Sequence, residues 1–135
     1  MTLVDSNILI DIFSDDPDWF DWSSSQLEAA ALDGPLFIND VVYTETSIRY
    51  REVQRFEAAL GRAGVVMVPI PHPALFAAGK AFEKYRKAGG SRTGVLPDFF
   101  IGAHAEVERL PLLTRDARRY RTYFPNVTLI APEGL

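Results

Sequence analysis

Thr2-Leu3-Val4-Asp5-Ser6-Asn7 opens the chain, and Ile8-Leu9-Ile10-Asp11-Ile12-Phe13 follows it. Residues 2–5 read as a short buried strand that ends on an acid. Ser6 and Asn7 then offer caps for a helix over residues 8–13. A strand running straight into a helix is half of a βαβ unit, and the pattern recurs along the chain. Asp15-Asp16-Pro17 breaks the first helix and starts a second, which Asp33-Gly34-Pro35 stops. Residues 36–39 form the next apolar strand, and residues 41 to about 62 one long helical segment. A third strand over 65–70 is separated by Pro71-His72-Pro73 from a helix over 74–88. The Gly89–Gly94 loop precedes Leu96-Pro97-Asp98 and a short helix to about 107. A fourth strand over 110–114, a helix over 117–123 and a last strand over 127–130 complete the series. Continuous apolar strands alternating with helices predict an α/β fold, a parallel β-sheet flanked by helices on both faces. The 135 residues suit a single domain, 1–135, large enough for its own core.

The absence of cysteine excludes disulfides, zinc–thiolate sites and thiol nucleophiles, and fits a reducing cytoplasm. No apolar run reaches the ~18 residues of a membrane span, and no secretory signal is visible, so no membrane association is expected. The net charge of −4 is unevenly spread: residues 1–45 hold ten acidic side chains and no Lys or Arg, a charge of −10 against +6 for the remainder. A protein acting on a polyanion can use both signs, acids for a cation and bases for phosphates. Two charged halves can equally be mixed in space by the fold.

Four acids stand beside strand ends or helix starts: Asp5, Glu45, Asp98 and Asp116. Asp5 and Asp116 follow apolar strands, where sites of parallel sheets lie. Asp98 opens a helix after Pro97. Each of these three has an ordinary alternative as a cap or a partner of the helix dipole. At ~100° per residue, Glu45 falls on the stripe of Val41, Ile48, Phe56, Ala59 and Leu60, where an unpartnered carboxylate is costly to bury. Glu52 shares that stripe, and a salt bridge to Arg is the alternative for both. Gathered together, such carboxylates cannot all stay ionised without a cation. Oxygen donors of this kind suit Mg²⁺ or Mn²⁺, and an ion so held is a known device for phosphodiester hydrolysis. Competing chemistry is poorly supported. There is no glycine-rich phosphate loop and no Gly-x-Ser-x-Gly. Asn7 stands where a haloacid-dehalogenase-like phosphatase would need a second Asp. The paired acids and late Lys of a receiver domain are missing.

Leu3-Val4-Asp5-Ser6-Asn7, the Glu45 segment, Leu96-Pro97-Asp98-Phe99-Phe100-Ile101-Gly102-Ala103-His104-Ala105 and Leu112-Leu113-Thr114-Arg115-Asp116 together resemble the PIN domain, and within it the VapC-type toxins of bacterial toxin–antitoxin systems. The resemblance spans positions 3 to 116. It implies a PIN-like fold, endoribonuclease activity on RNA, and Mg²⁺ or Mn²⁺ bound by Asp5, Glu45, Asp98 and Asp116, with Asn7 and Thr114 supporting that shell. It further implies inhibition by a cognate VapB-type antitoxin. A homodimer is also expected. A non-catalytic RNA- or protein-binding module on the same fold is the reading a divalent-ion titration would separate from it, and a phosphoryl-transfer enzyme for a small substrate is disfavoured by the missing motifs.

Arg115 beside Asp116, and Arg92 in the loop before Asp98, are candidates for substrate phosphates. On the second helix Phe20, Ser24, Leu27 and Ala31 share the stripe expected to face the core. Trp19 and Trp22 lie off it and are candidates for partner binding; the alternative is a second core face. His72 sits in a loop, and His104 is expected to fill a core or surface position.

Overall fold

The computed structural model describes residues 1–133. Its order is β1 (Thr2–Val4), α1 (Ser6–Phe13), α2 (Phe20–Asp33), β2 (Leu36–Ile38), α3 (Asp40–Ser47), α4 (Val53–Ala63), β3 (Val65–Met67), α5 (His72–Lys87), α6 (Leu96–Glu108), β4 (Leu112–Leu113), α7 (Arg118–Tyr123) and β5 (Leu129–Ile130). The strands form one sheet in the order β3-β2-β1-β4-β5, and every pairing is parallel. The α/β fold expected from the sequence is therefore present. Successive strand residues face opposite sides of a sheet, yet Thr2, Leu3 and Val4 of β1 and both residues of β4 are buried. Both faces are thus covered at the centre. At the β3 edge Val66 and Met67 are 55 % and 48 % exposed, so the cover does not extend there.

Chain order reverses direction across the β1–β4 pair, which makes the carboxyl end of that pair the switch point where α/β sheets open a crevice. Asp5 directly follows β1, and Thr114 directly follows β4.

Two expectations are corrected. The single helix over residues 41–62 is two helices, α3 and α4, with a turn between them closed by Tyr50 N–H to Ser47 C=O at 2.9 Å. Thr44, Thr46 and Ser47 each return a hydroxyl bond to a carbonyl one turn back, which competes with helix continuation. Tyr50 turns inward against Phe13 and Phe56. Ile48, placed on the core stripe by unbroken periodicity, is 79 % exposed. Glu52 precedes α4 as its cap residue, 4.0 Å from Arg55. The second correction concerns α2. Its buried residues are Ser23, Leu27 and Ala30, because the Ser23 hydroxyl is drawn inward to donate to Asp11 Oδ2 at 2.8 Å. Phe20, Ser24 and Ala31 instead line an open groove with Ile12, Phe13 and Tyr50.

Gly102 sets the approach of α7 to α6. A Cβ there would lie 2.3 Å from the Phe124 ring, so only glycine lets that ring lie against the helix. Phe124 follows α7, and the contact brings α7 over the start of α6. His104, 2 % exposed, ties α6 to α3: Asn39 Nδ2 lies 3.0 Å from His104 Nδ1, while Asn39 Oδ1 accepts the Val41 and Val42 N–H groups. An amide N–H can pair only with an unprotonated Nδ1. Burial, the main cause, holds the His104 pKa below its usual value, consistent with that neutral ring.

Candidate metal centre

Asp5 is 4 % exposed. It caps α1, its Oδ1 accepting the Ser6 N–H at 2.7 Å, so the ordinary reading of this residue holds alongside any other. Its Oδ2 accepts the Thr114 hydroxyl and the Tyr120 hydroxyl, both at 2.8 Å. Burial, then the negative charge of Asp98, raises the Asp5 pKa to about 6 against the pull of these donors.

Glu45 projects from α3, and Ser6 Oγ donates to its Oε1 at 2.9 Å. Burial raises its proton affinity, and Asp98 adds to that. Asp98 lies in the first turn of α6 and accepts from Arg119 Nη1 at 2.5 Å. Burial still lifts its pKa, with Asp116 contributing in the same direction and Arg119 opposing. Asp116 is exposed, and its Oδ1 accepts the Arg118 N–H at 3.4 Å. The fold thus brings Asp5, Glu45, Asp98 and Asp116 into one electrostatic neighbourhood at the switch point. Among the described residues no three acidic or histidine side chains are drawn together as a finished ion site. Each carboxylate instead leans on a nearby hydroxyl, guanidinium or backbone N–H, as mutually repelling groups do.

Asn7 and Thr114 stitch the ends of β1 and β4 together. Asn7 Nδ2 donates to Thr114 Oγ1 at 3.2 Å, and Asn7 Oδ1 accepts the Arg115 N–H at 3.0 Å. Thr114 Oγ1 also accepts the Asp116 N–H at 3.1 Å. Arg115, a candidate for substrate phosphates, is paired within the protein. Its Nε and Nη2 bind Asp11, 1 % exposed, at 2.8 and 2.9 Å, and its guanidinium lies 5.2 Å from the centre of the Trp19 ring. Arg92 is exposed and lines a groove with Asp98, Asp116, Arg118 and Arg119. Trp19 and Trp22 meet edge to face at 5.9 Å; both are half-buried, and Trp22 packs on the core.

Sequence reasoning missed Ser6, Asp11 and Tyr120, and pointed to Arg119 only as one of the arginines around Asp116. Ser6 and Asp11 look like ordinary members of a capped helix. Arg119 and Tyr120 sit on a six-residue helix, too short for periodicity to show which way either points. The only available signal for Arg119 was its nearness in sequence to Asp116.

No curated protein matches the chain. Solved structures do. A toxin–antitoxin complex from Klebsiella pneumoniae aligns over 100 % of both chains at 25 % identity and a TM-score of 0.70. VapBC2 from Rickettsia felis, bound to a DNA fragment from its promoter, aligns over 98 % of both chains at 18 % identity and a TM-score of 0.74. VapBC-1 from nontypeable Haemophilus influenzae aligns over 96 % of both at 16 % identity and 0.70. The family profile described as the PIN domain matches residues 2–125, nearly the whole length. The chain, with its parallel five-stranded sheet and acids at the β1–β4 switch point, belongs to the PIN domain family.

Proposed function

We propose that this protein is a Mg²⁺-dependent (or Mn²⁺-dependent) endoribonuclease toxin, cleaving RNA phosphodiesters and restrained by a cognate VapB-type antitoxin. The observation that carries the reading is the placement of Asp5, Glu45 and Asp98, on three separate elements, with proton affinities raised by burial and by Asp98 or Asp116. Such a set fits a hard cation: all donors are oxygen, and the accumulated charge is negative. Asp5, Glu45, Asp98 and Asp116 would hold it, and when bound it would supply Lewis-acid charge for in-line attack of water at phosphorus.

The chain's own residues do the rest. Thr114 and Asn7 fix Asp5 and the Asp116 loop to one another. Arg92, with Arg118 and Arg119 in the same groove, would meet phosphates. Arg115 supports from behind through Asp11. In this proposal the antitoxin contacts Trp19 and Trp22 and the apolar groove lined by Phe20, Ser24 and Ala31, where Ser24 Oγ is buried without a hydrogen-bond partner. The solved neighbours are themselves complexes of this kind. Homodimer assembly and action in the cytoplasm complete the proposal; no helix among the described residues is long and apolar enough to cross a membrane.

The test is cleavage of total RNA by the chain purified free of any partner, with Mn²⁺, with EDTA, and with Asp98→Asn. Metal-dependent cleavage lost in Asp98→Asn is expected. Undiminished cleavage in excess EDTA would remove the mechanism, and no cleavage under any condition would leave the non-catalytic module.

A further inference from the structure

Tyr120 is the largest fully buried side chain of α7, 1 % exposed. A buried phenol needs a partner for its hydroxyl, and this one donates to Asp5 Oδ2 at 2.8 Å. A phenol keeps its proton at neutral pH, so the hydroxyl is a donor to Asp5 there.

The acceptor positions of Asp5 can be counted. An ionised carboxylate has about four. Oδ2 takes two short hydroxyl bonds, from Thr114 and Tyr120, and a long one of 3.5 Å from Asn7 Nδ2, while Oδ1 takes the Ser6 N–H. Ser6 Oγ, 3.4 Å from Oδ1, has its shorter bond to Glu45. One position remains, on Oδ1. We propose that Tyr120 is a positioning residue of the cation site, its hydroxyl holding Asp5 Oδ2 against the protein so that Asp5 offers a single oxygen, Oδ1, to the ion. Without that bond Oδ2 keeps the Thr114 hydroxyl and the long 3.5 Å contact from Asn7 Nδ2, and the carboxylate is freer to rotate about its last torsion. The Gly102–Phe124 contact that seats α7 also delivers the phenol to this place.

This inference rests on the metal-site reading above, and the experiment separates the two. Mn²⁺ affinity is measured by electron paramagnetic resonance on the full chain, for wild type, Tyr120→Phe and Tyr43→Phe. Tyr43 serves as a control, since its hydroxyl donates to Glu57 at 3.3 Å on the surface. Tyr120→Phe is expected to bind Mn²⁺ about tenfold more weakly or worse, as loss of an outer-shell partner does. Its Tm in EDTA should stay near wild type, and Tyr43→Phe should match wild type throughout. Equal affinity in Tyr120→Phe and wild type overturns the positioning role and leaves the metal site standing. A wild-type protein that binds no Mn²⁺ overturns both. Should Tyr120→Phe fail to fold, wild type carrying 3-fluorotyrosine decides the matter. The fluorine resonance of Tyr120 must then move along a Mg²⁺ titration while that of Tyr43 stays still, and an unmoved Tyr120 resonance overturns the proposal.

Discussion

Arg115→Ala tests whether this arginine is a clamp or a phosphate arm. In the structure its guanidinium makes two bonds to Asp11, a carboxylate only 1 % exposed. The substitution leaves Asp11 with the Ser23 hydroxyl as its one side-chain donor. Removing one partner of a buried ion pair costs about 3–5 kcal/mol. The Arg115 side chain is itself 31 % exposed, so water enters the gap and the low end, about 3 kcal/mol, applies. An unfolding entropy of about 2.1 cal/mol/K per residue gives about 0.28 kcal/mol/K for a chain of this length, so Tm should fall by about 10 °C. Urea unfolding and a thermal scan in EDTA measure this without any ligand. Replacing Asp11 by Ala in the same protein should recover part of the loss, because no carboxylate is then stranded, and the double-mutant cycle isolates the pair. RNA binding by Arg115→Ala should keep the wild-type salt slope. A Tm within about 2 °C of wild type, together with a flattened salt slope, would refute the clamp and restore Arg115 as a phosphate ligand.

Asp5→Asn should abolish RNA cleavage and leave the metal-free fold as stable or more so. Its folded pKa of about 6 exceeds the 3.8 of the free group, so the unfolded chain releases the proton first and the metal-free protein loses stability as pH rises from about 4 to 6. The loss is on the order of 3 kcal/mol. Urea titrations in EDTA across that range should show the fall in wild type and a shallower one in Asp5→Asn; equal curves would contradict the assignment. Added Mn²⁺ should raise Tm because the ion binds the folded state alone, with chelation reversing the gain, and an unchanged Tm at saturating ion would count against the site. Arg92→Ala should reduce the RNA salt slope by about 0.7, one phosphate's worth on a single strand, as read from affinities across a salt series. Gly102→Ala should lower Tm, since the new methyl meets the Phe124 ring at 2.3 Å and overpacking costs about 1–3 kcal/mol; a Tm equal to wild type would show that α7 is not seated by that contact.

The alternation of apolar strands and capped helices was legible from residues 2–13 onward, because strand and helix periods and their Pro, Gly and Asx punctuation are local properties. The positions of Asp5, Asp98 and Asp116 relative to strand ends and helix starts followed from the same local signals. Local signals could not say that the segment after Val41 breaks at residues 48–52, since Thr44, Thr46 and Ser47 bond backward and Tyr50 finds its aromatic partners only in the assembled core. Nor could they rotate α2, whose inward face is chosen by a bond from Ser23 to Asp11 on another helix. The strand order, and with it the switch point between β1 and β4, exists only once residues 3–4 pair with residues 112–113. Tyr120 reaches Asp5 across 115 positions of sequence, and Arg115 spends its charge on Asp11 rather than on solvent. Chain chemistry determined which carboxylates were available; long-range packing decided which donors each would meet, because burial and charge at a point in space sum over every element that arrives there.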